Sequence, residues 1–336
     1  SDLMLVILNK FTHLSIEELW WLLPSFMMPV ALLAYYRLAR SLFDNRTIAL
    51  LVCLVVVYHF GGIGYPFIAF RKFQLPAAIA SHIFMPTLWF HSFAFLRKPK
   101  FTQCFMVMLI SITLSSFHAY YFLLYLGGLA SCLLFWLLLK RREISAIRKI
   151  SVLITASIIT CLPIFILKTY NHGLHNPAYL DIKRLSNISF FPGMLTFIGK
   201  IPVIHPEYVF TQVYTLFEEP PLIFPYTPLV AVLLSLLLIK RKEDWAVFLA
   251  ALSLTPPLVM LNPLIVPVLS RFISLMYVAR ISELIPTFLI LGFFLHRAPG
   301  YIQTLTNKFK LPKKHQNAIT YIVMILILAY PTVQTC

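Results

Sequence analysis

Residues 104–142 read CFMVMLISITLSSFHAYYFLLYLGGLASCLLFWLLLKRR, an apolar run that a histidine interrupts and basic residues end. A membrane-spanning helix needs about 20 mostly apolar residues. The run 104–139 is too long for one crossing and too short for two full crossings with an ordinary loop. We therefore predict two helices, 104–117 and 119–139, that meet in a tight turn at His118 near a membrane surface.

The same length requirement predicts further spans along the chain. They are 18–39, 47–65, 76–96, 150–168, 222–239, 245–261, 281–296 and 317–335. Apolar residues make up 60% of the chain and charged residues only 12%, whereas soluble domains carry about 25% charged residues. The composition excludes a soluble globule, and the pattern predicts an all-α, polytopic bundle of about ten transmembrane helices.

Lysine and arginine cluster at every second break between the apolar runs. Basic residues concentrate in the cytoplasmic loops of multi-span membrane proteins. We therefore expect a multi-pass protein, most simply of a prokaryotic plasma membrane, with these breaks on the cytoplasmic side: 40–46, 97–103, 140–149, 240–244 and 296–316. The net charge of +16 then reflects topology and contact with membrane lipids, and it does not predict a nucleic-acid partner.

The intervening breaks, 66–75, 169–221 and 262–280, are expected on the outer side together with residues 1–17. Because a structureless loop of about 50 residues is unusual in a compact domain, we predict short interfacial helices within 169–221. A single membrane domain, 1–336, is the simplest organisation. The chain starts at Ser1 rather than at methionine, so we expect that an N-terminal part is missing.

Cations beside the outer ends of two spans are candidate binding groups. Arg71 and Lys72 precede the span that begins near residue 76, where they could hold a phosphate or anchor the helix at the interface. Arg280 and Glu283 lie three residues apart and could pair on one helical face. Alternatively, Arg280 holds an anionic headgroup, Glu283 orients it, and Arg271 contributes.

Histidines within or between the apolar runs are further candidates. An intramembrane ionisable residue is a functional candidate by default, although a packed, hydrogen-bonded role for His118 is at least as common. His82 and His91 are nine residues apart in the sequence, which is not a metal-ligand spacing on a helix. We predict no metal site from these residues, and the chain contains no GxSxG, Walker A, HExxH or GxGxxG motif.

Two segments carry a resemblance to a known class. The first is Tyr35-Tyr36-Arg37-Leu38-Ala39-Arg40-Ser41-Leu42-Phe43-Asp44-Asn45, at the end of an early helix. The second is Phe117-His118-Ala119-Tyr120-Tyr121, at the start of a middle helix. Together with the outer polar loops, they resemble GT-C membrane glycosyltransferases, which use polyprenyl-phosphate sugars.

The resemblance implies transfer of a hexosyl or pentosyl group from a lipid-linked donor to a glycan, lipid or protein acceptor at the outer face of the cell envelope. Arg71, Lys72, Arg271 and Arg280 would hold the phosphate, with Glu283 beside Arg280. The early acidic loop of the class has no counterpart after Ser1, so the catalytic residue stays unknown, with His118, Asp181 and Glu207 as candidates. Some members use a divalent metal and others do not.

Two other functions fit the same hydropathy pattern. A transporter or lipid flippase would contain interrupted helices in corresponding halves, and Gly127-Gly128 and Pro256-Pro257 are candidate interruptions. A non-catalytic scaffold subunit would explain the absence of the early acidic loop.

Overall fold

The computed structural model describes residues 9–61, 76–140, 143–175, 195–198, 201–204, 227–241, 243–260, 262, 265 and 280–308. These residues are helical apart from turns and one short hairpin. The α-helices are α1 (Ile16–Phe43), α2 (Arg46–Gly61), α4 (Phe101–Phe117), α5 (Ala119–Leu139), α6 (Ile144–His175), α7 (Thr227–Leu238), α8 (Asp244–Met260) and α9 (Thr287–Lys308). The segments Pro76–Ile79, Ala80–Phe84 and Met85–Arg97 follow one another and form α3.

Among the residues described, four helical stretches are long and apolar enough to cross a membrane: Ile16–Phe43, Ala77–Arg97, Ala119–Leu139 and Ile144–Leu167. Three shorter apolar helices are Arg46–Val57, Phe101–Phe117 and Asp244–Met260. The predicted helical class is therefore confirmed, and these stretches support a membrane protein. The predicted span 317–335 lies outside the described residues, and the count of about ten spans stays a prediction.

The first helix begins and ends at residues suited to those positions. Ser15 Oγ accepts a hydrogen bond from the Glu18 N–H at 3.2 Å, and Glu18 Oε2 accepts one from the Ser15 N–H at 2.7 Å. This reciprocal capping box satisfies donors that a helix start leaves unpaired. Asp44 ends the helix in a left-handed conformation with φ 49°. Residues 40–43 are thus helical, and the loop predicted over 40–46 is confined to Asp44 and Asn45.

A π-helical turn, Ala80–Phe84, interrupts α3. The N–H of Met85 donates to the carbonyl of Ala80, five residues earlier, instead of to the residue four earlier. The next residue is Pro86, which has no N–H and whose ring would collide with the carbonyl of His82 in a regular α-helix. The wider turn relieves that collision, and π-turns of this kind often mark functional sites.

The contacts divide the chain into two compact units. Unit 1 comprises residues 1–90, 220–225 and 287–336, and unit 2 comprises residues 91–219 and 226–286. In unit 1, α2 packs against both α1 and α9, and the π-turn packs against α1. The single membrane domain expected from the sequence stays a prediction.

Unit 2 has its core around α5, which packs against α4, α6 and α8. Trp136, Tyr125 and Phe122 are among its most deeply buried side chains. The Tyr125 hydroxyl lies 2.7 Å from Ser92 Oγ, so a buried polar pair joins α5 to the end of α3. Such a bond satisfies groups that would be costly to bury alone.

Several predicted boundaries are wrong in the described residues. The helix α6 includes 144–149 and 169–175, which were expected in loops, and α9 continues through 297–308, within the predicted loop 296–316. Hydropathy locates only the apolar part of a helix, whereas lysine, arginine and glutamine are also good helix formers. Charged and polar extensions at 144–149 and 297–308 were therefore mistaken for loops, whereas 169–175 contains none of these three residue types.

A β-hairpin replaces the interfacial helix expected in the described part of 169–221. Strands β1 (Leu195–Ile198) and β2 (Ile201–Ile204) pair antiparallel, with Leu195 opposite Ile204 and Ile198 opposite Ile201. Isoleucine, valine, threonine and phenylalanine dominate these strands, and they favour extended backbone. The rest of the predicted loop after His175 lies outside the described residues.

Candidate functional site

His118 joins α4 directly to α5. Its N–H donates to the carbonyl of Leu114 at 2.7 Å, and its own carbonyl accepts from the Tyr121 N–H at 3.1 Å. Its backbone is not helical, with φ −153° and ψ 88°, so one residue both ends a helix and begins the next. The tight turn predicted at this histidine is confirmed.

The His118 ring lies among tyrosines. Its centroid is 4.8 Å from that of Tyr121 and 6.4 Å from that of Tyr120, both in edge-on arrangements. Tyr121 is buried, whereas His118 and Tyr120 are half-buried. The imidazole and the two phenols can each donate and accept hydrogen bonds. The packing holds the half-buried ring in place, as expected for a packed histidine.

Arg280 and Glu283 belong to a short 3₁₀ turn, Arg280–Leu284, rather than to the start of the predicted span 281–296. Residues three apart lie one above the other in a 3₁₀ helix, so the backbone supports their predicted common face. The Ile285 N–H donates to the Ser282 carbonyl at 3.0 Å, and α9 begins after Pro286. A proline disfavours helical backbone at the residue before it, which accounts for the break.

The 3₁₀ turn packs against α5 and α8. Leu284 and Ile285 are buried there, and one carboxylate oxygen of Glu283 is buried as well. The turn with Glu283 therefore packs on the helix that begins after His118, within the same unit. The side chain of Arg280 lies outside the described residues.

The other candidates lie outside the part of the chain that the structure describes, and their roles stay predictions: Arg71, Lys72, Asp181, Glu207 and Arg271. Among the described residues, no group of three His, Cys, Asp or Glu side chains could hold a metal ion. His82 and His91 have separate partners. His91 Nδ1 lies 2.6 Å from Gln103 Oε1, whereas His82 Nδ1 lies 3.1 Å from the hydroxyl of Tyr35.

The cluster of Tyr35, His82 and Phe288 in unit 1 was not predicted. Besides the hydrogen bond between Tyr35 and His82, the ring of Phe288 lies 5.4 Å from Tyr35 and 6.3 Å from His82, measured between centroids. His82 belongs to the π-turn and is half-buried. A histidine within an apolar helix, followed closely by Pro86, was the signal in the sequence. Nothing in the sequence indicated that His82 would pair with Tyr35.

No protein-family model matches this chain, and no curated protein matches it. The described fold defines the class as a helical protein with four helices long and apolar enough to span a membrane. Function must therefore be argued from the chemistry of its residues.

Proposed function

We propose that this protein is a membrane glycosyltransferase that transfers a sugar from a lipid-phosphate donor to an acceptor at the non-cytoplasmic face. The main support is the packing of the 3₁₀ turn with Glu283 on α5, the helix that follows His118. Two segments selected independently from the sequence thus belong to one packed unit. The resemblance of 117–121 to GT-C enzymes adds the reaction class.

In this reaction, the acceptor hydroxyl attacks the anomeric carbon while the bond from that carbon to the phosphate oxygen breaks. A carboxylate, for which Asp181 and Glu207 are candidates, would accept the hydroxyl proton. Arg280, Arg71 and Lys72 would stabilise the negative charge that develops on the leaving phosphate. His118 would hydrogen-bond to the sugar or the acceptor, and no step is assigned to a divalent metal.

The two candidate interruptions do not break their helices. They therefore give no support to a transporter or flippase, which would contain interrupted helices. The helix α5 continues through Gly127 and Gly128, and α8 continues through Pro256 and Pro257. Membrane helices often contain proline, because neighbouring groups form hydrogen bonds with the backbone carbonyls that proline leaves unpaired.

The proposal predicts loss of sugar transfer in Arg280→Ala and Arg71→Ala. Each change removes a cation from the leaving phosphate, and loss of one such transition-state contact costs about 100- to 1,000-fold in rate. Transfer of radiolabelled sugar from a polyprenyl phosphate would be measured in purified membranes that contain equal amounts of each variant. Arg46→Ala, at the exposed start of α2, is the control and should retain the wild-type rate.

Arginine-to-lysine replacements separate charge from geometry at the same positions. A lysine keeps a point charge but loses the two-pronged contact, so Arg280→Lys should recover only part of the transfer lost in Arg280→Ala. Equal transfer by wild type, Arg280→Ala and Arg71→Ala would refute the phosphate-binding roles. Solute flux coupled to a gradient in proteoliposomes, without sugar transfer, would instead identify a transporter.

A further inference from the structure

Side-chain contacts gather several helix ends at one end of unit 2. Lys140, after α5, forms an ion pair with Asp244 at the start of α8. Lys149 of α6 donates to the Leu96 carbonyl near the end of α3 at 2.8 Å. His91 and Gln103 connect α3 to α4. The described residues of 96–103, 140–149 and 238–244 thus lie together, and we call this surface the basic end.

Carboxylates at the basic end are already engaged with cations. The described residues of these ranges include eight lysines and arginines but only three acids. Glu143 and Asp244 contact Lys140, and Glu243 lies 3.6 Å from Arg241. Further exposed cations are Lys98, Lys100, Arg148 and Lys240, and the exposed Arg97 lies over the ring of Phe93. The surface therefore presents an excess of positive charge that the described acids do not neutralise.

Large apolar side chains project among these cations. Phe101 is 82% exposed and Phe105 is 50% exposed, and their rings stack with centroids 6.2 Å apart. Phe101 follows Lys100 directly. At the start of α6, Ile144 is 73% exposed, one turn before Arg148. Exposed apolar groups next to cations fit the boundary between lipid headgroups and acyl chains.

We propose that the basic end is a binding surface for anionic phospholipid headgroups. Lys98 and Lys100 contact the headgroup phosphates, while Phe101 and Phe105 insert beside them at the level of the acyl-chain boundary. Charge complementarity selects anionic over zwitterionic lipid. A soluble polyanion would satisfy the lysines but would leave the phenylalanines in water, so lipid fits both features. None of the residues of the basic end is assigned a role in the proposed sugar transfer.

Binding can be measured with the full chain purified in a neutral detergent. Phosphatidylglycerol and phosphatidylcholine, each carrying a fluorescent acyl chain, would be titrated in mixed micelles at low salt. We expect tighter binding of phosphatidylglycerol. Each lysine near an anionic surface contributes about 1 kcal/mol, so Lys98→Gln and Lys100→Gln should each weaken its binding about fivefold. High salt should reduce the preference because exposed charges are screened.

Lys10→Gln is the matched control, since Lys10 is also exposed but belongs to unit 1, and it should leave binding unchanged. Phe101→Ser with Phe105→Ser should weaken binding of both lipids without changing the net charge. Equal affinity for the two lipids, or equal effects of Lys98→Gln and Lys10→Gln, would overturn the proposal. Displacement of the bound lipid by a short oligonucleotide at equal charge concentration would likewise overturn it in favour of a soluble polyanion.

Discussion

At the scale of single residues, Gly292 shows how closely two helices of unit 1 approach. A Cβ atom added to this glycine would lie 2.5 Å from Val52 Cγ2, 2.9 Å from the Val52 nitrogen and 3.0 Å from its Cα. The side-chain atom could move, but the two backbone atoms belong to α2 and cannot rotate away. Small residues allow this kind of backbone approach between membrane helices. The contact between α9 and α2 therefore depends on glycine.

Gly292→Ala should lower the free energy of unfolding by about 1–3 kcal/mol, because the added methyl group overpacks the interface. Gly300→Ala is the control in the same helix, where an added Cβ has no neighbour within 4 Å. There, alanine should be neutral or stabilising by up to about 1 kcal/mol, since it favours helix more than glycine does. Thermal unfolding in detergent micelles would compare the two. Equal melting temperatures would contradict the close approach.

Individual residues also show what the sequence could and could not predict. His118 was located as a helix junction because its neighbours on both sides are apolar over the length of a helix. Tyr35 and His82 were visible as polar groups, but their hydrogen bond joins positions 47 residues apart. Nothing local in either segment specifies that partner, because the pairing depends on how α1 packs against the π-turn.

At the scale of helices, hydropathy located most apolar segments but not their ends. The predicted span 281–296 illustrates the error, since it contains a 3₁₀ turn, the break at Pro286 and the first half of α9. The predicted loop 140–149 is similar, because α6 begins at Ile144 and Lys149 bonds to the carbonyl of Leu96. Such tertiary contacts extend helices past the apolar region, and a hydropathy profile does not contain them.

The contact of Lys140 with Asp244 and Glu143 connects the end of α5 to the start of α8. The Lys140 side chain is only 9% exposed, whereas Asp244 is 49% and Glu143 is 48% exposed. Burial alone lowers the pKa of Lys140, but hydrogen bonds and charges from Asp244 and Glu143 outweigh it, so the pKa lies above its usual value. The ammonium form is therefore favoured by folding.

Replacing Lys140 with methionine should lower the free energy of unfolding by about 0.2–1 kcal/mol at neutral pH, the range for ion pairs at a protein surface. Because folding raises the pKa of this lysine, the stabilisation is complete below the unfolded pKa, near 10.4, and is lost as the pH rises through the higher folded pKa. Wild type and Lys140→Met should thus converge in strongly alkaline buffer. Arg40→Met, which removes an exposed contact 3.9 Å from Asp44, should have a smaller effect at neutral pH.

At the scale of the whole molecule, the alternation of basic and non-basic breaks has a structural counterpart in unit 2. Segments from three of the breaks expected in the cytoplasm meet at the basic end, whereas His118 lies at the other end of α4. A 17-residue helix is about 25 Å long, close to the apolar thickness of a bilayer. The expectation that every second loop lies on the same side therefore agrees with the meeting of these three segments at the basic end, because each crossing reverses the direction of the chain.

We predict that Lys98, Arg148 and Lys240 face the cytoplasm and that Ser116 faces the opposite side, because basic residues are retained on the cytoplasmic side. Each would be replaced singly by cysteine in a chain whose natural cysteines are changed to alanine. A membrane-impermeant maleimide applied to intact cells should label only Ser116→Cys. The other three variants should react only after the membrane is opened.

Labelling of Ser116→Cys and Lys98→Cys from the same side would contradict a crossing by α4. Labelling of the three basic positions from outside would reverse the orientation and place the His118 junction in the cytoplasm, away from the face at which the proposed transfer occurs.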